Sequence, residues 1–490
     1  MEKILSMKKL SLLLLSLVST VIFSQFTSPG TGVTYNLASL SAAAPTVVVN
    51  NGTDYTMTAN VVISAGDILN MDENTTLKIN SGILLTIAGT YNTTATNFKI
   101  TATDPANVWK GMRLESTANV TFKNTTIEYG GGIQSLTGNF LMDNCIVKYH
   151  KSGQATGSAI SFSTGNPIVK NSQFIENDLP AVSSGANQSV ALEFINNTLS
   201  KNTKLNSNRP QINMGPSGTG GTTKIMNNTI IGDRLNDKVG GISVSSLLGV
   251  TNTVLIDGNT LTDNRYGITI TGNNCSGTIS NNILTNNNVE TVPANGGSGI
   301  NLSGNGSYKI EKNQIRGSLW GITLVNGAKA DLGGGTLASV GQNVFKNNGN
   351  GGQIYALYNN TPNPVSAQNN CWREDELSDD AMVEEVIFHQ VDNGTLGLVN
   401  FSPYLCALQL ATVESAIAKS TIYPNPSNGT FTFDAEKSGN IIISDMAGRM
   451  VYSGMVNKGK NTVSVKANPG TYVLVYQSEG KKSSNKLIIK

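Results

Sequence analysis

Histidine is almost missing from this chain: His150 and His389 are the only two in 490 residues. Cysteine is scarce too, with Cys145, Cys275, Cys371 and Cys406, and no Cys/His spacing fits a metal centre. No metal and no cofactor is expected. Charged residues make up 13% and aromatic residues 6% of the chain, while glycine numbers 51. That mixture is poor in helix formers and rich in turn formers, which excludes a helical bundle. Beyond the N-terminal stretch, no segment is long and apolar enough to span a bilayer. Neither sign of charge dominates: the formal net charge is +2, and losing Glu2, Lys3, Lys8 and Lys9 brings it to 0. A neutral chain argues against a nucleic-acid partner and against an electrostatic membrane partner.

The four residues just named belong to an expected signal peptide, residues 1–24. Lys3, Lys8 and Lys9 precede an apolar run from Leu10 to Phe23, which is too short for a comfortable transmembrane span. Residues 25–45 are small and polar and read as an extended lead-in.

What the chain does have is a recurring line: apolar, any residue, Asn-like, usually Asn, any residue, apolar. It occurs ten times, from Phe122–Ile127 through Leu141–Ile146, Val169–Phe174, Phe194–Leu199, Ile225–Ile230, Ile256–Leu261, Ile279–Leu284, Ile310–Ile315 and Val340–Phe345 to Ala367–Trp372. The fourth slot is Asn in eight: Asn144, Asn197, Asn228, Asn259, Asn282, Asn313, Asn343 and Asn370. The gaps between units run from 19 to 31 residues. Short apolar pieces at such a period, without helical spacing, mean stacked coils of strand. In such a stack the amides are expected to hydrogen-bond from coil to coil, and Asn suits the left-handed backbone of a tight turn. A second line, Gly-apolar-polar-apolar, recurs as Gly111–Leu114, Gly241–Val244, Gly267–Ile270, Gly299–Leu302 and Gly321–Leu324, with Ala159–Phe162 and Gln353–Ala356 as variants. Alternation along a strand turns its two apolar residues inward and the middle one outward.

Together these lines resemble the right-handed parallel β-helix family, over residues 46–372. Trp109-Lys110-Gly111-Met112 followed by Ile127-Glu128-Tyr129-Gly130 is similar to the opening coil of extracellular members. The resemblance implies an all-β solenoid, expected to be a monomer, closed by a C-terminal cap over residues 373–408. There Ser378 is the expected N-cap of a short helix carrying Met382, Val383, Val386 and Ile387, and helix capping accounts for the acidic cluster Glu374, Asp375, Glu376, Asp379 and Asp380. Coils sit ~4.8 Å apart, so Cys145 and Cys371, about eight coils apart, lie on the order of 40 Å from each other, beyond disulfide reach. A Cys371–Cys406 pair is open if the cap folds back. Residues 409–420 read as a linker.

The last 70 residues form another domain, with some seven short strands and turn signals, as in a small Ig-like β-sandwich. Pro424-Asn425-Pro426, the Asp445-x-x-Gly448-Arg449 turn, Gly470-x-Tyr472 and the end from Lys486 to Lys490 resemble the type A C-terminal sorting domain of the type IX secretion system. That resemblance, over 421–490, implies transit of the outer membrane with the type IX machinery as partner, and a secreted or cell-surface protein.

On the solenoid the outward slots are Arg113, Ser161, Ser243, Thr269, Asn301, Thr323 and Tyr355, none of them acidic. Polysaccharide lyases and glycosidases of this shape need carboxylates that hold Ca²⁺ or act in pairs. Two readings stay open: a non-catalytic surface protein that binds glycans or neighbouring cells, and a carbohydrate-active enzyme acting on extracellular polysaccharide. Candidate ligand-binding residues are Tyr266, Trp320, Tyr355 and Arg113; no catalytic residue is assigned.

Overall fold

A computed structural model describes residues 25–153, 155, 157–405, 421–445, 449–478 and 481–490, and the chain divides into two compact units with the boundary after residue 407. The expected signal peptide, the linker, Cys406 and Gly448 lie outside the described residues, and with Cys406 goes the Cys371 pairing.

The first unit is a parallel β-helix. A regular coil contributes one strand to each of three sheets, here A, B and C, of 14, 14 and 13 strands; sheet C opens on an antiparallel hairpin, Val48–Asn50 with Tyr55–Met57. One coil shows the path: Ile268–Gly272 in sheet A, Cys275–Ser280 in B, Ile283–Thr285 in C, then an excursion before Ser298–Ser303 returns to A. In sheet A the inward column runs Ile212, Ile242, Ile268, Ile300, Ile322, Leu357 and Ile387 in continuous register, all buried. In sheet C it runs Val147, Phe174, Leu199, Ile230, Leu261, Leu284, Ile315 and Phe345. Each such side chain removes apolar surface from water on both neighbours, worth about 1.5–3 kcal/mol. The narrow core needs no other layer.

The winding starts earlier than Thr46. Gln25–Thr27 pairs in parallel with Asn60–Ile63, and Thr34–Tyr35 pairs with Ile68–Met71. The expected extended lead-in is therefore the first rung, and it also holds a helix, Leu37–Ala43, capped by Asn36. The Asp67 carboxylate ties this rung down by accepting from the N–H groups of Gly30, Gly32 and Val33.

The B-to-C corner carries the amide column. Asn197, Asn228, Asn259, Asn282, Asn313, Asn343 and Asn370 are buried and stacked. From Asn228 on, each Oδ1 accepts from the N–H of the preceding Asn, as Asn228 N donates to Asn259 at 3.0 Å and Asn259 N to Asn282 at 2.9 Å, while Asn197 accepts from Ser172 N. Asn144 does not belong. It is exposed at φ 54°, and its amide reaches only Asn124. The Leu141–Ile146 frame is one residue early: Met142 and Val147 face inward and Cys145 takes the ladder position, its N–H on Ser172 Oγ at 3.0 Å. A one-residue slip exchanges the faces of a strand.

The left-handed residue is also not the ladder Asn but the one before it. Asn144, Asn171, Asn196, Asn227, Gly258, Asn281, Lys312, Gln342 and Asn369 all have φ between 51° and 68°. A second ladder at the C-to-A corner joins Asn177 to Asn202 and Asn264 to Asn287, with Gln211 bridging Asn202 and Asn264. His150 heads that column.

The cap helix spans Asp380–Glu384, and its N-cap is Asp379 rather than Ser378: Met382 N donates to Asp379 Oδ1 at 2.9 Å. The second unit packs a three-stranded against a four-stranded antiparallel sheet around Phe431, Phe433, Ile443, Leu474, Tyr476 and Leu487, which is the expected sandwich.

Candidate functional site

The outward face of sheet A carries a column that runs Arg113, Gln134, Ser161, Ser183, Asn213, Ser243, Thr269, Asn301, Thr323, Tyr358 and Phe388. Tyr358, not Tyr355, holds the outward slot. The variant line Gln353–Ala356 belongs instead to a hairpin of Gly349–Asn350 with Gln353–Ile354, and the strand proper is Leu357–Asn360.

Over the last coils this face becomes a cleft of about 450 Å³. Its floor is Thr269, Asn301 and Thr323, and its walls come from the excursion at Pro293–Gly296 and from Asn208. Two of the expected residues, Tyr266 and Trp320, line it. Tyr355 stands behind them, its ring 4.7 Å from that of Trp320. Tyr358 joins the platform at 4.8 Å from Trp320 and stacks on Phe388 at 4.7 Å and 12°. Arg113 is not brought there. It lies six rungs from Thr269, about 30 Å at the spacing of strands, and is held by Glu115 and Gln134.

The cleft is shaped by specific packing. Trp320 Nε1 donates to Pro293 O at 3.1 Å and so fixes the wall loop. The Tyr266 ring lies against Gly240, where a Cβ would come within 2.1 Å of it. Burial pushes the Tyr266 phenol up to about 12. Ser298 and Thr323 share a hydroxyl hydrogen bond at 3.0 Å. Arg265 joins the two wall loops through Asn208 Oδ1 and Asn295 O. None of the lining residues is Asp or Glu.

Three acids of the cap have basic partners. Glu374 accepts from both Arg316 Nε and Nη2 at 2.6 Å, Asp375 pairs with Lys346, and Glu376 pairs with Arg373. Glu384, His389 and Asp392 converge within 4.8 Å, around a histidine whose two ring nitrogens are both engaged. His389 Nδ1 accepts from Val399 N at 2.9 Å, so Nε2 carries the proton and donates to Glu384 at 2.5 Å. No nitrogen lone pair remains for an ion.

In the second unit, Asn425 explains the Pro-Asn-Pro motif. Its amide donates to Lys486 O at 2.7 Å and accepts from Ile488 N at 2.8 Å, so it covers the edge of the last strand, Lys481–Ile489. Pro424 and Pro426 hold it on either side. Ser427 continues the cover, accepting from Lys490 N. Gly470 opens the neighbouring strand, and Tyr472 is buried with its hydroxyl on Asn468 O.

Sequence reasoning missed Tyr358, Asn208 and Arg265 as partners in one place. Tyr358 was hidden by a register offset of three, and the other two sit on excursions whose meeting depends on loop paths.

A family model described as a secretion system C-terminal sorting domain matches residues 421–490. A second, described as a protein of unknown function (DUF1565), matches residues 293–376, the stretch that supplies one wall and the aromatic end of the cleft. No curated protein matches the chain. Among the described residues no helix is long and apolar enough to cross a membrane. The chain is a parallel β-helix protein that carries a type IX secretion C-terminal sorting domain, which sends it to the cell surface or the extracellular space.

Proposed function

We propose that the exported β-helix is a non-catalytic glycan-binding protein, and that its site is the sheet A cleft between Tyr266 and Tyr358. The observation that carries this reading is the Trp320–Tyr358–Phe388 platform continuing a polar Thr/Asn column on one flat face. Sugar rings offer an apolar face to aromatic rings and hydroxyls to side-chain amides, so a row of both suits a linear polysaccharide. The absence of carboxylates from the lining supports binding over hydrolysis or elimination, which need an acid or a base at the scissile bond. The signal peptide over residues 1–24 belongs to the same proposal, as the first step of export, and so does a monomeric rod.

The test is to incubate purified protein with a panel of neutral and acidic polysaccharides. Retention without released ends is expected. Trp320→Ala and Tyr358→Ala are each expected to weaken binding roughly tenfold, since each removes a buried ring face worth about 1–2 kcal/mol. Release of reducing or unsaturated ends would replace the reading with a carbohydrate-active enzyme. Binding that survives both substitutions would place the site elsewhere.

A further inference from the structure

Arg265 is the one charged side chain among the residues that line the cleft. Its Nη1 and Nη2 donate to neutral acceptors, the side-chain oxygen of Asn208 and the backbone oxygen of Asn295. Its Nε is buried and has no hydrogen-bond partner. Gly296 packs close on that edge, where a Cβ would lie 3.0 Å from Nε. The nearest acid in sequence, Asp263, is taken by Arg234 at 2.8 Å. Neutral acceptors orient a guanidinium without cancelling its charge. The cleft therefore holds a partly desolvated cation with no counter-ion, and a desolvated cation favours an anion in its place.

We infer that the cleft selects a glycan carrying an anionic sugar unit, a carboxylate or a sulfate ester, and that Arg265 is the specificity-determining residue. This deepens the glycan-binding reading and rests on it. The anionic group sits at Arg265, between the two wall loops. The uncharged remainder of the chain runs along the rungs, over the Ser298–Thr323 hydroxyls and the Asn301 amide towards the Trp320–Tyr358 platform. A charge-assisted hydrogen bond is roughly twice as strong as a neutral one, and it weakens as salt screens it.

The experiment titrates the intact exported protein with matched probes: uronate oligosaccharides against the same oligosaccharides with carboxyls reduced to alcohols, and sulfated oligosaccharides against their desulfated forms. The expected result is affinity about tenfold tighter for at least one charged series than for its neutral match, falling with added salt. Arg265→Gln is expected to bring the ratio of charged to neutral affinity down to about one. Arg265→Lys keeps the charge but not the fork, and is expected to retain much of the preference. Equal affinity for charged and neutral probes would overturn the inference and leave the glycan reading standing. Loss of the preference in the Lys variant as complete as in the Gln variant would assign Arg265 to loop positioning and also overturn it. No binding by any probe would overturn both.

Discussion

Asn259→Ala is the sharpest test of the fold. The Asn259 side chain accepts from Asn228 N at 3.0 Å and from Asn228 Nδ2 at 2.9 Å. It donates to Ile225 O at 2.8 Å and to Asn282 Oδ1 at 2.9 Å. Asn259 and Asn228 are buried on every side. Alanine removes both acceptor contacts and leaves the Asn228 N–H with no partner, a cost of about 1–3 kcal/mol for the orphaned group alone. Adding the lost bonds to Ile225 and Asn282, each worth about 0.5–1.5 kcal/mol, gives about 2–6 kcal/mol for the coil. Asn259→Leu costs at least as much, because a branched side chain blocks water from replacing the amide. Solenoid stability is a sum of neighbouring terms, so the loss stays near that coil. The assay is hydrogen exchange at Asn228 and its flanking strands together with a urea melt. Asn144→Gly is the control, because glycine accepts the φ of 54° at that site and the exposed amide makes one bond to Asn124, and a change within about 0.5 kcal/mol is expected. An Asn259→Ala protein with wild-type exchange at Asn228 would refute the ladder as a source of stability.

Three further outcomes follow from particular residues. His150 is buried, and burial pulls its imidazole down to about 4 from an ordinary 6.5, against the carbonyls of Gly130 and Ile127, which favour the charged form. As pH falls below 6.5 the unfolded chain binds the proton first, so stability drops between pH 6.5 and 4 by about 3 kcal/mol in total; His150→Gln should flatten that slope in melts recorded across the range. Gly240→Ala puts a methyl into the Tyr266 ring; glycan affinity should fall severalfold and stability by about 1–3 kcal/mol, as read by titration and a urea melt. Asn425→Ala frees Lys486 O and Ile488 N, and should lower the fraction of protein that reaches the medium, while removal of 421–490 should abolish export.

Much of the fold was legible because the repeat is written in side chains that must face inward. The frame failed where a single residue decides the face. Leu141–Ile146 satisfies the pattern with Asn144, yet the register of Val147 on Phe174 puts Cys145 in the column. The pattern also ran the two jobs of the corner together. The φ > 0 position and the buried amide are adjacent residues, and both are commonly Asn, so composition alone does not separate them. The lead-in was misread because its apolar anchors, Phe26 and Tyr35, are too few for periodicity to register, although they pack edge to face at 5.9 Å. In the cleft, Tyr266 and Trp320 were legible as aromatic residues flanking turns. Arg265 and Asn208 were not, because 57 residues separate a contact that exists only after the coils are stacked.

From Asp143–Ile146 to Glu311–Gln314, seven successive coils leave two residues between the sheet B strand and the sheet C strand. Within those seven coils the strands and the other two corners carry the variation in length, and the next coil, between Gly333 and Val344, lengthens this corner. Over that stretch the amide corner works as a fixed phase mark from which the turns of the solenoid are counted. Sequence added or removed at the opposite corners changes what the sheet A face presents and leaves the count undisturbed. A scaffold with this division of labour can diversify its recognition loops by insertion while its winding stays the same.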